Sequence, residues 1–249
     1  MAHIEINALS VKLAGTFEAH VFFPEINILM TEKEFPVLWM IHEDGKGTFD
    51  LVRYARLFER IANEKKMFII APAVSHSLAT NMVYGTDNED FLANECVEIF
   101  RFMYPLSRKK EDNYIFGIHT GAYGAVKLAM KHEDVYGGCF AVNGELDIVK
   151  RCQDIENKET GFVHQSAESL KAIFGNISAV QGSAEDIYTL AETSEANIFL
   201  LCSNKVKSYE DNIRLANSGS HIILKSSNET EDFTTIETMI EKGINYLTK

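Results

Sequence analysis

The chain predicts an α/β fold: a mostly parallel central sheet flanked by helices, with a small helical insertion past its midpoint. Three observations predict it. Two leading segments alternate apolar and polar residues at period two, six later segments are short and almost continuously apolar, and stretches of helical period lie between those runs. Continuous apolar runs suit strands buried on both faces of a parallel sheet. Their regular alternation with helices calls for right-handed crossovers that place helices over both faces.

The elements follow in order. Residues 3–9 and 17–23 are the alternating pair, with β-branched and aromatic side chains on one face. Residues 36–42 (PVLWMIH), 67–71 (MFIIA), 114–118, 139–142, 198–202 (IFLLC) and 221–224 are the buried runs, and Trp39 inside the first of them is assigned to the core. In residues 87–103, Leu92, Cys96, Ile99, Phe100 and Met103 share one helical face. Residues 230–247 align Phe233, Ile236, Ile240, Ile244 and Leu247 in the same way. Residues 148–190 break the strand–helix rhythm. They read as a cap over the carboxyl edge of the sheet, where open α/β sheets bind ligands. All of 1–249 is read as one domain.

Composition narrows the function classes. Of 249 residues, 46% are hydrophobic and 24% charged, which is globular and argues against disordered or low-complexity chains. A net charge of −12 repels phosphate backbones and anionic lipid, so neither nucleic acid nor membrane is expected as a partner. The start MAHIEINALS lacks a signal-peptide pattern, and no stretch approaches ~18 consecutive apolar residues. The expectation is a soluble cytoplasmic protein. Cys96, Cys139, Cys152 and Cys202 are widely spaced and read as reduced core residues. His3, His20, His76, His132, His164 and His221 are scattered without zinc spacing and are assigned to surface or strand packing. The glycine-rich turn 117–124 lacks the Walker and dinucleotide fingerprints, and no cofactor or metal is expected. Ser75, His76 and Ser77 are neighbours whose side chains point apart, so they make no Ser–His pair.

Residues 106–124 read LSRKKEDNYIFGIHTGAYG and continue AVKLAMKH. This resembles the nucleophile-elbow region of the esterase D / tributyrin esterase branch of the α/β-hydrolase superfamily, related to S-formylglutathione hydrolases. That branch shows a strand, then Gly-x-Ser-x-Gly-Gly-Tyr-Gly-Ala, then a Lys-Leu-Ala helix. Residues 36–53 resemble its His-Gly oxyanion loop, 80–85 (TNMVYG) its Tyr-Gly segment, 142–148 (VNGELDI) its Ser-Gly-x-Leu-Asp-Ile stretch and 182–190 its cap, all in the family's order. Cys202 and Tyr209 fit its late Cys…Tyr region.

The resemblance implies a Ser–Asp–His esterase, and the residues depart from it at each catalytic position. In G-x-S-x-G the serine rides a sharp strand-to-helix turn; here the five residues are Gly117-Ile118-His119-Thr120-Gly121. The family's acid maps to Val206. Its histidine, counted back from Phe233, maps to Glu229, or to Asn228 with a slip of one. The oxyanion loop is His42-Glu43-Asp44-Gly45-Lys46, so carboxylates stand where an ester transition state develops negative charge, a repulsion of about 1–4 kcal/mol at ~4 Å. The backbone N–H groups of Asp44 and Thr120 are the remaining oxyanion donors. Asn143 replaces the serine of the Ser-Gly-x-Leu-Asp stretch as a strand-end structural residue. His42, Glu43, Asp44, His119 and Thr120 form the expected binding set for a small-molecule ligand at the strand ends. A positive-φ turn accounts for His119 structurally; an imidazole that still binds or attacks something is the functional reading. The leading expectation is a catalytically inactive pseudo-esterase that binds a ligand or partner. The alternatives are an active ester hydrolase or acyl transferase with a non-standard site around His119, and a structural subunit of a homo-oligomer.

Overall fold

The computed structural model describes residues 2–25, 33–74, 76–157 and 166–248. Strands β1 (Ala2–Ser10), β2 (Gly15–Phe23), β3 (Val37–Ile41), β4 (Phe68–Pro72), β5 (Asn113–Ile118), β6 (Gly138–Val142), β7 (Ile198–Ser203) and β8 (Ile222–Ser227) form one sheet in the order β1-β2-β4-β3-β5-β6-β7-β8. The β1–β2 and β2–β4 pairs are antiparallel; every later pair is parallel. This is the expected sheet, with each buried run forming a strand.

Two-sided burial explains the apolar runs of β3 to β7, whereas β8, read as buried, is an edge strand and largely exposed. Along β3, Val37, Trp39 and Ile41 enter the core on one face of the sheet, while Leu38 and Met40 enter the core on the other. Helices α1 (Ala55–Lys65), preceded by a 3-10 segment (Gly47–Tyr54), and α9 (Phe233–Leu247) cover the second face. The first face carries α2 (Asn88–Asp90), α3 (Cys96–Met103) and α4 (Thr120–Lys131). Trp39 is buried, its indole N–H directed at Asn113 Oδ1 across 3.4 Å. Cys96, Cys139, Cys152 and Cys202 are all buried thiols.

Two helices differ from the pattern read in the sequence. The segment expected as one regular helix from 87 to 103 contains a π-helical stretch, Phe91–Glu95, between α2 and α3. At its end, the Glu95 carboxylate accepts hydrogen bonds from Ser10 Oγ and from the backbone N–H groups of Val11 and Lys12, tying this helix to the β1–β2 turn. A π turn rotates the following side chains relative to a regular helix. The last helix starts at Phe233, the first residue of its apolar stripe and three residues after the expected start at 230. Asp232 caps it, accepting from the Thr235 N–H at 2.8 Å.

The 148–190 region is helical, with α5 (Ile148–Glu156), α6 (Ala167–Phe174) and α7 (Ile187–Ala191). Residues 158–165 within it lie outside the described residues, as do Ser75 and His164. Helix α8 (Tyr209–Ala216) links β7 to β8. No helix among the described residues is long and apolar enough to cross a membrane.

Candidate functional site

The turn from β5 into α4 is built by close backbone approach. A Cβ on Gly117 would lie 2.1 Å from the Gly121 carbonyl oxygen, and one on Gly121 would lie 2.4 Å from that of Ile41. Only glycine fits at either position. Between them His119 sits at φ 49°, ψ −117°, a conformation costly for a residue with a side chain. Its N–H donates to the Val142 carbonyl (3.0 Å), and its own carbonyl accepts from the N–H groups of Ala122 and Glu145 (both 3.1 Å). The turn therefore presents the imidazole outward at the carboxyl end of the sheet.

That imidazole is held between two carboxylates. Nδ1 lies 3.0 Å from Glu43 Oε1, and Nε2 pairs with Glu231 Oε1. Burial would push the His119 imidazole down, but the hydrogen bonds and charges of Glu231 and Glu43 raise it to about 10. Burial opposes the ionised form of Glu43 as well, yet His119 and Lys46 hold its carboxyl below the usual range. His119 does the same for Glu231. Lys46 Nζ stands 2.8 Å from Glu43 Oε2. The result at neutral pH is an imidazolium clamped by two carboxylates.

The remaining members of the expected binding set are not all beside it. His42 is 5% exposed, and both ring nitrogens are used internally: Nδ1 donates to the Glu43 carbonyl (2.7 Å) and Nε2 accepts from the Val74 N–H (3.0 Å). Its role is to hold the loop. Burial keeps it in the neutral form by lowering its pKa. The Asp44 carboxylate accepts from the Leu78 N–H across 3.5 Å. The Asp44 N–H, expected as an oxyanion donor, instead donates to Thr120 Oγ1 at 2.8 Å. Thr120 thus occupies with its hydroxyl the donor that an acyl oxygen requires in such a loop.

Glu231 is the residue that reading the sequence missed. Counting from Phe233 led to Glu229 and Asn228, and neither reaches His119: the Glu229 carbonyl accepts from Ser203 Oγ (2.5 Å), and Asn228 Oδ1 accepts from Asn204 Nδ2 (2.6 Å). The available signal was the helix cap. With Asp232 as N-cap, the residue before it closes on the elbow. Asn143, in a positive-φ conformation at the end of β6, is the brace: Oδ1 accepts from the Ser203 N–H (2.9 Å) and Nδ2 donates to Glu231 Oε1 (3.1 Å).

His119, Asn143 and Glu231 open onto a cleft of about 830 Å³, lined also by Val206, Glu145 and Asp147 and by Lys150, Arg151, Lys205 and Lys207. Its walls come from α5 and the loop between β7 and α8. Glu145 pairs with Arg151, and Asp147 with Arg214 at 2.7 Å. Burial, with Asp147 beside it, pushes the Asp211 carboxyl up to about 6.

The sheet order, the strained residue between β5 and α4, and the cleft at the strand ends define an α/β-hydrolase fold. Solved structures agree. FphF, a fluorophosphonate-binding serine hydrolase of Staphylococcus aureus, superposes with a TM-score of 0.85 at 25% identity, covering 100% of this chain and 98% of that one. The S-formylglutathione hydrolase FrmB of the same organism gives 0.84 at 24% identity, covering 100% and 99%. The family described as "Putative esterase" matches residues 10–223, and the chain belongs to that family. An acetyl esterase of Caldicellulosiruptor saccharolyticus is 25% identical over 159 residues, 61% of this chain and 57% of that relative's length.

Proposed function

We propose that the chain is a pseudo-esterase: an esterase-family scaffold that has lost the Ser–Asp–His mechanism and uses the strand-end cleft to bind a small polar ligand. The observation that carries this reading is the Glu43–His119–Glu231 clamp. An imidazole with its pKa raised to about 10 is protonated at neutral pH, and an imidazolium has no lone pair with which to attack an acyl carbon or accept a proton. The acid position is Val206, half-buried in the cleft wall and unable to orient a base. Thr120 engages the loop donor that would stabilise an oxyanion. In a related kind of site, loss of the triad lowers turnover by about 10⁶. The cleft mixes carboxylates with Lys150, Lys205 and Lys207, which suits a polar ligand better than the neutral acyl chain of an ester.

Purified protein is expected to hydrolyse short-chain nitrophenyl esters no faster than buffer containing the denatured chain. His119→Ser alone should stay inactive, because the new hydroxyl faces the weakly basic carboxylate of Glu231 and no imidazole. Adding Val206→Asp, Glu231→His and Glu43→Gly should give measurable turnover. Wild-type activity that tracks purity and disappears in His119→Ala would overturn the pseudo-esterase reading in favour of an enzyme built on His119.

A further inference from the structure

We propose that His3, Glu5 and His20 form a binding site for one divalent transition ion of the zinc type at the β1–β2 edge of the sheet. The site follows from strand register. In the antiparallel pair His3 stands opposite Phe22 and Glu5 opposite His20, and residues opposite or two apart share a face. The diagonal brings His3 Nε2 to 2.8 Å from His20 Nδ1, with Glu5 Oε1 at 3.9 Å from the same nitrogen. All three ligand atoms lie within 4.8 Å of one another, the one such group of three among the described residues.

These separations bracket what a tetrahedral ion requires. Zinc–nitrogen and zinc–oxygen bonds of about 2.0–2.2 Å put neighbouring ligand atoms about 3.3–3.5 Å apart. The two rings must open by about half an ångström, and Glu5 must close by a similar amount on His20 and by at most about 1.5 Å on His3, within the reach of a rotating carboxylate. The Glu5 side chain is 64% exposed, so it is free to swing in. The hydrogen bond between the rings gives way to two metal bonds.

Both imidazoles are already oriented. His3 stacks on the buried Phe22 ring, centroids 4.3 Å apart and planes 10° from parallel. His20 is 3% exposed, and its other nitrogen, Nε2, lies 3.4 Å from Glu18 Oε1. A carboxylate behind a ligating histidine fixes its tautomer and raises its basicity. Two imidazoles and one carboxylate select zinc, copper or nickel over magnesium or calcium. The ion would clip the edge strand β1 to β2 and leave a fourth position for water.

Calorimetric titration of the tag-free, EDTA-stripped full chain with Zn²⁺ tests this, together with thermal melts. One ion per chain and a raised Tm are expected, with no response to Mg²⁺. His3→Ala should weaken binding at least tenfold and abolish the absorption of a tetrahedral Co²⁺ complex. Glu5→Gln, an exposed change that leaves the fold intact, should weaken binding several-fold. His119→Ala should bind as wild type. Absence of Zn²⁺ binding at millimolar concentration would overturn the proposal. So would affinity unchanged in both His3→Ala and Glu5→Gln, or binding lost only in His119→Ala, which would place the ion at the elbow.

Discussion

His119 shows how far a single residue's chemistry depends on its neighbours. Alone, an imidazole titrates near neutrality; between Glu43 and Glu231 it stays charged. The pH dependence of stability follows from the direction of each shift. The His119 pKa rises from 6.5 to about 10 on folding, so its contribution is complete below pH 6.5 and disappears as pH climbs through about 10. Glu43 and Glu231 are lowered from 4.5, so theirs is present above pH 4.5 and lost on acidification. The Tm gap between wild type and His119→Asn should be widest between those limits, at about pH 5–6, and should narrow by about pH 9.5. A gap that stays constant across that range would mean that the ring is neutral in the folded chain and that the clamp has been misread.

The β5–α4 turn is the element on which the site depends, and its glycines are required by backbone contact. Gly121→Ala would drive a Cβ into the Ile41 and His42 carbonyls. Backbone atoms of a central strand cannot yield as a side-chain tip can, so the cost belongs at the upper end of overpacking, about 3 kcal/mol. Gly15→Ala is the matched comparison, since its nearest neighbour would be 3.7 Å away. Differential scanning calorimetry should show a large fall in Tm for the first and little change for the second. Equal effects would mean that the turn is looser than its contacts indicate.

At the scale of the molecule, a buried charge network ties the helices of one sheet face to Glu185 in the segment before α7. Lys127 on α4 is fully buried, 2.6 Å from Glu185 Oε2 and 3.6 Å from Glu89 Oε2, and it donates to Thr80 Oγ1. Lys131 reaches the same two carboxylates. Burial pushes the Lys127 ammonium down, opposed by Glu185 and Glu89; burial would raise the Glu89 carboxyl, but its hydrogen bond with His132 and the charges of Lys127 and Lys131 hold it at about 2. Removing one partner of a buried pair costs about 3–5 kcal/mol. With Lys131 still in place, Lys127→Met belongs near about 3 kcal/mol, a Tm drop of about 6–12 °C for a chain of this size. A neutral or stabilising result in thermal melts would show that the network costs as much to bury as it returns.

Periodicity was sufficient for the strands of the sheet and for the stripe of the last helix, and the resemblance to the esterase family located the elbow between Gly117 and Gly121, because those features depend on residues close in sequence. The identity of the elbow residue was legible too, as was the loop that His42 holds. What surrounds His119 was not. Glu231 reaches it across 112 positions of chain, the Asp44 N–H turns to the Thr120 hydroxyl, and His3 meets His20 only through the β1–β2 register. Each of these pairings is set by how distant segments pack and by where a cap starts a helix. Local pattern therefore determined the scaffold, while tertiary packing alone decided which charges meet and what the imidazole at the elbow can do.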